Sequence, residues 1–505
     1  MASFIFRRLI ASVLVLFAAT FLMYILTALS GDPLQDIKES SAPNKAELLE
    51  ARTKLLNLDV PPPLRYFLWL GALFRGDFGV SIQNQQVNAL LGNAITSTLT
   101  LVTTATVVAI ILGLSVGILS ALRQYTGFDY GVTLIAFLFF SLPVFWVAVL
   151  LKQYGAIRLN DWLGEPTISV PVIIGISLGA GLIWMSLIGG KWSRRLIVFG
   201  VSAVATGAVL AVLSATQWFA DPNIGIFVFG FLAVGIALGV TAISTGLRNR
   251  NALYASLIVA VIGIALYMPM QNYILNNMTL PVFLGLAVLA VVVSGAVGWF
   301  MGAPDRAPVV RTTAIVGLLV AALIALDKYM SYWEVYSNSS KIRGRPIATV
   351  GASTPGLGGN FWVQGIDLFT HLLLPTIAII LISFASYTRY SRASLLEVMN
   401  QDYIRTARAK GLTQRTVVVR HAFRNALIPI TTIIAFDVGA IIGGAVVTET
   451  VFGWTGMGRL FVAGLGAHDP NPVMAFFVVT GTLAVLFNLI ADLVYAGLDP
   501  RIKVG

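Results

Sequence analysis

The segment "RTARAKGLTQRTVVVRHAFRNALIP", residues 405–429, gathers positive charge between two strongly apolar stretches of the chain. Elsewhere the chain is poor in charge: 11% of its 505 residues are charged and 57% are hydrophobic, whereas soluble domains have about 25% charged residues. The mean hydropathy is +0.86. These values predict an all-α polytopic membrane protein in which the basic segment connects two spans.

Composition also argues against several functional classes. The chain has no cysteine, which removes disulfides, thiolate metal sites and cysteine nucleophiles. Its three histidines, His371, His421 and His468, do not have metal-ligand spacing, and no phosphate-binding loop is present. Lysines and arginines that orient the spans explain the net charge of +11, so nucleic acid is not expected as a partner. We expect no metal or cofactor on this chain.

About 20 apolar residues cross a bilayer as a helix, and twelve segments meet this requirement. They are residues 9–29, 98–121, 131–152, 168–189, 196–216, 224–245, 252–270, 279–301, 312–327, 372–388, 427–448 and 474–496. The first is too long for the core of a signal peptide and lacks a clear cleavage site, so we interpret it as a retained span. With the N-terminus in the cytoplasm, most lysines and arginines fall on that side, which predicts two cytoplasmic termini.

The middle of the chain contains an internal repeat. The turns "GKWSR" (190–194), "GLRNR" (246–250) and "GAPDR" (302–306) recur at a constant interval, and glycines in the preceding spans recur with them. This pattern predicts three tandem helical hairpins. Because three hairpins contain an even number of spans, residues 165–330 can be an inserted module that leaves the orientation of later spans unchanged. The remainder, 1–164 and 331–505, then forms a six-helix core.

The longer string "YIRTARAKGLTQRTVVVRHAFRNALIP", residues 403–429, resembles the cytoplasmic coupling loop of ABC-importer permeases of the dipeptide, oligopeptide and nickel family. Six other strings resemble the same family in the same order: "LNLDVPPPLRYFLWLGALFRGDFGVS" (56–81), "GILSALRQYTGFDY" (117–130), "SLPVFW" (141–146), "HLLLPTIAI" (371–379), "GGAVVTETVFGWTGMGRL" (443–460) and "LDPRIK" (498–503). One departure is that the general importer motif begins Glu-Ala-Ala, where this chain has Arg405-Thr406-Ala407. That departure fits the peptide branch and argues against the sugar and amino-acid branches.

The resemblance implies a function and a set of partners. It implies a non-catalytic permease subunit of an ATP-driven peptide importer in a bacterial or archaeal plasma membrane. The implied partners are a homologous second permease subunit, two ATPase subunits that carry ATP and Mg, an extracytoplasmic substrate-binding protein and membrane lipid. Nickel or another small solute is the alternative cargo. The external segment 30–95 is then part of the face that receives the binding protein.

The basic segment has a sequence that fits a coupling role. Residues 391–410 favour a helix, Gly411 can end it with a positive φ, and Thr413 can cap a second helix over 416–426. Val418, Phe423 and Ala426 would give that helix an apolar ridge that docks into a partner, with the basic side chains paired to acids. The alternative is an interfacial helix held by anionic lipid. Candidate ATPase-coupling residues are Arg405, Thr406, Ala407, Arg408, Ala409, Lys410, Gly411, Arg415, Arg420, His421 and Arg424.

A second group of polar residues predicts a translocation pathway. Asp437 and Asp492 lie in spans, where a charge near the bilayer centre costs roughly 2.5–3.5 kcal/mol, and Asn488 lies one turn before Asp492. Glu449 follows the fifth core span. These residues would line a polar route, or alternatively satisfy interhelical hydrogen bonds, with Glu449 in a loop salt bridge. Asp327 and its neighbour Lys328 are expected only to mark the membrane interface.

Two other classes of function remain open from the residues alone. A self-sufficient secondary transporter would fit twelve spans, but it is expected to show six-plus-six symmetry instead of three hairpins within one half. An intramembrane enzyme would use Asp437 or Asp492, and detection of a product would identify it.

Overall fold

The computed structural model describes the backbone of residues 2–498. It describes the side chains of that range except those of residues 2–5, 7–9, 415, 428, 432, 435–444 and 491–498. Regular structure in the described part is helical, apart from one isolated bridge between Val80 and Gln86. The predicted all-α membrane class is confirmed.

Twenty-one α-helices follow one another in the described part of the chain. They are α1 Ala2–Leu29, α2 Gln35–Glu39, α3 Lys45–Leu55, α4 Pro62–Leu73, α5 Val87–Leu122, α6 Gly127–Ser141, α7 Val144–Leu150, α8 Arg158–Leu163, α9 Val170–Ile188, α10 Trp192–Ala215, α11 Gly225–Ser244, α12 Arg250–Pro269, α13 Leu280–Met301, α14 Arg306–Ser331, α15 Trp333–Ser337, α16 Phe361–Met399, α17 Asp402–Ala409, α18 Gln414–Thr416, α19 Phe423–Val451, α20 Met457–Gly466 and α21 Pro470–Leu498. Wider π-helical stretches occupy Leu151–Ile157, Met270–Ile274 and Val417–Ala422.

Ten described helices are long and apolar enough to cross a membrane, and a bent pair raises the number to eleven. In the pair, Gly127–Ser141 and Val144–Gly164 meet at 103°, so the predicted continuous span 131–152 is wrong. The bend falls at Leu142-Pro143, because proline lacks an N–H and disfavours a helical residue before it. Helix α19 covers the predicted span 427–448, and many of its side chains lie outside the described residues. The cytoplasmic location of the termini stays a prediction.

The chain forms two compact units. Unit 1 comprises Met1–Gly155, Thr349–Ala352 and Leu372–Gly505, and unit 2 comprises Ala156–Ala348 and Ser353–His371. Residues 165–330, the predicted module, lie within unit 2.

In unit 1, α21 contacts α1, α5, α19 and α20. One core cluster joins Val87 of α5, Met457 of α20 and Phe476 of α21. A second joins Tyr24 of α1 to Tyr66 and other aromatic side chains of α4. The long helices are therefore held together by apolar side chains drawn from distant parts of the sequence.

In unit 2, consecutive helices pack as pairs: α9 with α10, α11 with α12, and α13 with α14. The aligned repeat turns fall between the two helices of each pair. Small residues allow close approach within the last pair, where a Cβ on Gly298 would lie 2.2 Å from Thr313 Oγ1. The glycines of the repeat itself differ, because a Cβ on Gly175 or Gly285 would meet nothing within 4 Å among the described residues.

The expectation for Asp327 and Lys328 is wrong, because both side chains are buried within unit 2. Asp327 accepts hydrogen bonds from the Ile224 N–H at 2.6 Å and the Tyr267 hydroxyl at 2.5 Å, so it closes the start of α11. The Lys328 ammonium donates to the Gln271 carbonyl at 2.7 Å. The hydropathy of the sequence predicted that a span ends at these two residues. It could not predict that the ends of several helices contact their side chains.

Candidate functional site

The basic segment, residues 405–429, begins within α17, shortly after the end of α16. That helix stops at Met399, and Gln401 has an extended backbone with ψ 151° before α17 begins. Gly411 has a φ of 75°, which ends α17 as expected of a glycine in the left-handed region. Thr413 then caps the next helical stretch, since its hydroxyl accepts the Thr416 N–H at 3.3 Å.

One side of α17 anchors the basic segment to unit 1. Ile404 and Ala407 are buried, and they pack in one apolar cluster with Ala121 of α5, Leu395 of α16 and Val417 of the π-helical stretch. Their spacing of three residues places both on one face of the helix. The small side chain of Ala407 therefore packs against other residues of this chain.

The opposite side of the basic segment is exposed and positively charged. Side chains of the predicted coupling set that are exposed are Arg405, Thr406, Arg408, Ala409, Lys410, Arg420 and Arg424, together with Gly411. His421 is partly buried, and the side chain of Arg415 lies outside the described residues. Arg405 lies 3.4 Å from Asp402 in a pair that is 72% and 95% exposed, so solvent screens it and its stabilising effect is small.

The predicted apolar ridge is not available for docking. Val418 and Ala426 are buried, and Phe423 is partly buried. The expected separate helix at 416–426 is also wrong, because the π-helical stretch runs directly into α19. Val419, 62% exposed, is the apolar side chain that this stretch presents outward. Normal α-helical spacing predicted that Val418, Phe423 and Ala426 form an outward ridge. They lie toward the core of this chain instead, because a π-helix changes which side chains share a face.

Glu449 occupies a fully buried position in unit 1. Its Oε1 accepts the Thr98 hydroxyl at 2.6 Å, and its Oε2 accepts the N–H groups of Gly458 at 2.6 Å and Arg459 at 3.2 Å. The Arg459 guanidinium instead donates to the Gly453 carbonyl at 2.6 Å. The carboxylate thus joins α5, α19 and the start of α20 through hydrogen bonds, and its link to Arg459 uses the backbone and not the expected salt bridge.

The three other residues predicted to line a pathway are Asn488, Asp437 and Asp492. Asn488 is exposed on α21. The side chains of Asp437 and Asp492 lie outside the described residues. A pathway role for these three residues and for Glu449 stays a prediction.

Sequence reasoning missed two residue pairs that organise unit 1. Thr98 pairs with Glu449 across 351 positions, and Asp129 pairs with Arg392 across 263 positions. No local motif signals such distant partners. The only available signal was that each carboxylate lies in one of the seven strings, with Asp129 in residues 117–130 and Glu449 in residues 443–460.

Ten of the described helices can cross a membrane, and the basic segment is exposed between the long helices α16 and α19. These features define a multi-pass membrane component. Residues 252–504 match the model of the family described as "binding-protein-dependent transport system inner membrane component". Because the match covers half of the chain, the chain belongs to this family, and it is a multi-pass protein of the plasma membrane. The family resemblance drawn from the seven strings is confirmed.

Several named permeases are similar to this chain. It is 26% identical over 505 residues to the oligopeptide transport system permease protein OppB of Mycobacterium tuberculosis (strain ATCC 25618 / H37Rv), with all of both chains covered. It is 43% identical over 148 residues to the dipeptide transport system permease protein DppB of Escherichia coli (strain K12), covering 29% of this chain and 42% of that protein. It is 46% identical over 137 residues to the oligopeptide transport system permease protein AppB of Bacillus subtilis (strain 168), covering 27% and 43%.

Proposed function

We propose that this chain is a non-catalytic permease subunit of an ATP-driven importer that carries di- or oligopeptides. Relatives named as oligopeptide and dipeptide permeases support the choice of cargo. The chain assembles with a second, homologous permease subunit, two ATPase subunits and an extracytoplasmic binding protein that delivers the peptide. ATP and Mg bind to the ATPase subunits, and this chain binds no cofactor.

The observation that carries the coupling role is the two-sided construction of the basic segment. Ile404 and Ala407 fix α17 to the helices of unit 1, while Arg405 and Arg408 on the same helix point away from that core. A force applied to the exposed side is therefore passed to the helix ends by packed side chains, not lost in a flexible loop. Closure of the ATPases on ATP would supply that force. Acidic side chains on the ATPases are the complement that this surface requires.

The first test is charge reversal at Arg408. In Arg408→Glu the ATPases meet a like charge, so we expect their affinity for the permease pair to fall at least about tenfold, which corresponds to about 1.4 kcal/mol. The measurement is co-purification and titration of the ATPase subunits on the membrane complex. Arg345→Glu, at an exposed arginine before α16, is the matched control and should leave the affinity unchanged. Normal assembly and peptide uptake in Arg408→Glu would contradict the coupling assignment.

A further inference from the structure

The carboxylate of Asp129, in the first turn of α6, joins three helices of unit 1. Arg392 of α16 donates from Nε to Oδ1 at 2.7 Å and from Nη2 to Oδ2 at 2.9 Å. The Ser120 hydroxyl at the end of α5 donates to Oδ1 at 2.5 Å, and the Tyr125 N–H donates to Oδ2 at 3.1 Å. Each oxygen of the Asp129 carboxylate therefore accepts two hydrogen bonds. Through these bonds the carboxylate connects α5, α6 and α16.

Burial makes this contact hard to open. The Asp129 side chain is 3% exposed and the Arg392 side chain 28% exposed. Separating the pair leaves the buried Asp129 carboxylate without its charged partner, which is unfavourable. The two-pronged guanidinium geometry also fixes the relative orientation of α6 and α16, which a single contact would not do.

Close backbone packing adds a second constraint between α5 and α16. A Cβ on Gly117 would lie 1.9 Å from Ser391 Oγ and 2.6 Å from the Thr388 carbonyl oxygen. A Cβ on Gly113, one turn earlier, would lie 2.6 Å from Tyr387 Cβ. The Ser391 hydroxyl also donates to the Gly113 carbonyl at 3.3 Å. The two helices thus touch at backbone distance, and neither can slide along the other without a clash.

The same helix ends hold the basic segment. Ala121, the residue after Ser120, and Leu395, one turn after Arg392, belong to the apolar cluster that contains Ile404 and Ala407 of α17. A displacement of α17 therefore presses on α5 and α16 at the points that the Asp129 carboxylate fixes. The turn between α5 and α6, which includes Tyr125, has to follow.

We propose that Asp129 and Arg392 are positioning residues that make the α5–α6 turn and the end of α16 move as one body with the basic segment. This inference rests on the proposed function. In it, the ion pair carries the movement imposed by the ATPases from α17 to α5 and α6, and so to membrane-embedded parts of the chain. Without the pair, the ATPases still bind and turn over, but less of their motion reaches the spans.

The first experiment compares coupling in Asp129→Asn, Arg392→Lys and wild type, each reconstituted with its partner subunits. The number of peptides taken up per ATP hydrolysed should fall by roughly twofold to thirtyfold in both variants, the range that single contacts in a coupling path produce. Arg345→Gln, at an exposed arginine before α16, is the control, and its ratio should stay at the wild-type value. A purely structural role lowers ATPase activity and uptake in parallel and leaves the ratio unchanged, which would overturn the proposal.

A second experiment measures the common movement directly. Since the chain has no cysteine, Gln124→Cys and Asn400→Cys can carry two spin labels, one on the α5–α6 turn and one after α16. The distance between the labels should be the same with and without ATP in the otherwise wild-type complex, and it should broaden or shift with ATP when Asp129→Asn is added. An ATP-dependent change without Asp129→Asn would refute the common movement. Failure of the wild-type complex to form or to show ATP-driven uptake would instead refute the proposed function.

Discussion

Glu449 is a buried carboxylate whose partners are provided by three parts of unit 1. Gly458 and Gly456 approach it so closely that a Cβ on Gly456 would lie 2.3 Å from its Oε1. Thr98 in turn accepts the Met457 N–H at 2.8 Å, so the hydroxyl and the carboxylate together organise the start of α20. Loss of one of these partners would leave a buried polar group without a hydrogen bond, which destabilises a protein.

We therefore expect Glu449→Gln to reduce stability more than it changes selectivity. The amide of glutamine would place an NH₂ group against one of the N–H donors or the Thr98 hydroxyl, and an unsatisfied buried group costs about 1–3 kcal/mol. The readout is the thermal unfolding midpoint of the purified complex, with Thr98→Val as a second variant that removes the same link from α5. An unchanged midpoint together with altered peptide preference would show that Glu449 lines the route instead.

The basic segment shows how far its sequence alone could be interpreted. The glycine break at Gly411 and the cap at Thr413 were predictable, because both depend on the local backbone. The inward orientation of Val418 was not, since a π-helical turn changes which side chains share a face. The ion pair of Asp129 with Arg392 depends on packing between distant helices, which no local pattern encodes.

At the scale of elements, Asp469 fastens the loop that precedes α5. Its Oδ2 accepts the Ile82 N–H at 2.7 Å, and the neighbouring Asn471 donates its side-chain amide to the Val80 carbonyl at 2.7 Å. Asp469 lies just before α21, outside the apolar spans. Burial raises the pKa of the Asp469 carboxyl from its usual 3.8 to about 6, although the backbone N–H groups of Ile82 and Asn471, which donate to this carboxyl, lower it.

This pKa predicts how stability depends on pH. The folded state binds the Asp469 proton more tightly than the unfolded state, so the contribution of Asp469 to stability is greatest at low pH and falls as pH rises from about 4 to about 6, by up to about 3 kcal/mol. Asp32 and Asp36 have lowered pKa values, because Lys38 and Arg52 donate to them, and their contributions change only below this window.

The measurement is the thermal midpoint of the wild type and of Asp469→Asn at pH values of about 4.5 and 7.5. The wild-type midpoint should be higher at the acidic value, and the difference should shrink in Asp469→Asn. Equal pH dependence in the two proteins would mean that Asp469 is not the group responsible.

At the scale of the whole molecule, the interpretation of residues 165–330 as an inserted module remains a proposal. The region of 148 residues shared with the E. coli dipeptide permease is 42% of that protein, so the protein has about 350 residues, about 150 fewer than the 505 of this chain. A module of the predicted size accounts for the difference. The M. tuberculosis oligopeptide permease aligns with this chain from end to end.

Deletion of residues 165–330 tests whether the module is peripheral to transport. We expect the shortened chain to retain ATPase binding, since the basic segment lies in unit 1, but to lose stability. Trp362 is fully buried in unit 2, its indole N–H donates to the Leu275 carbonyl at 2.6 Å, and deletion would expose it. Trp362→Gln in the deletion background is the control for that exposure. Loss of peptide uptake with normal assembly would show that the module takes part in transport.

The most direct test of the central claim is uptake of a labelled peptide into proteoliposomes that contain this chain, its second permease subunit and the ATPases. Uptake is expected only when ATP, the ATPases and the peptide-loaded binding protein are all supplied, and Arg408→Glu is expected to lose most of it. Uptake by this chain alone, driven by an ion gradient and insensitive to ATP, would contradict the proposed function.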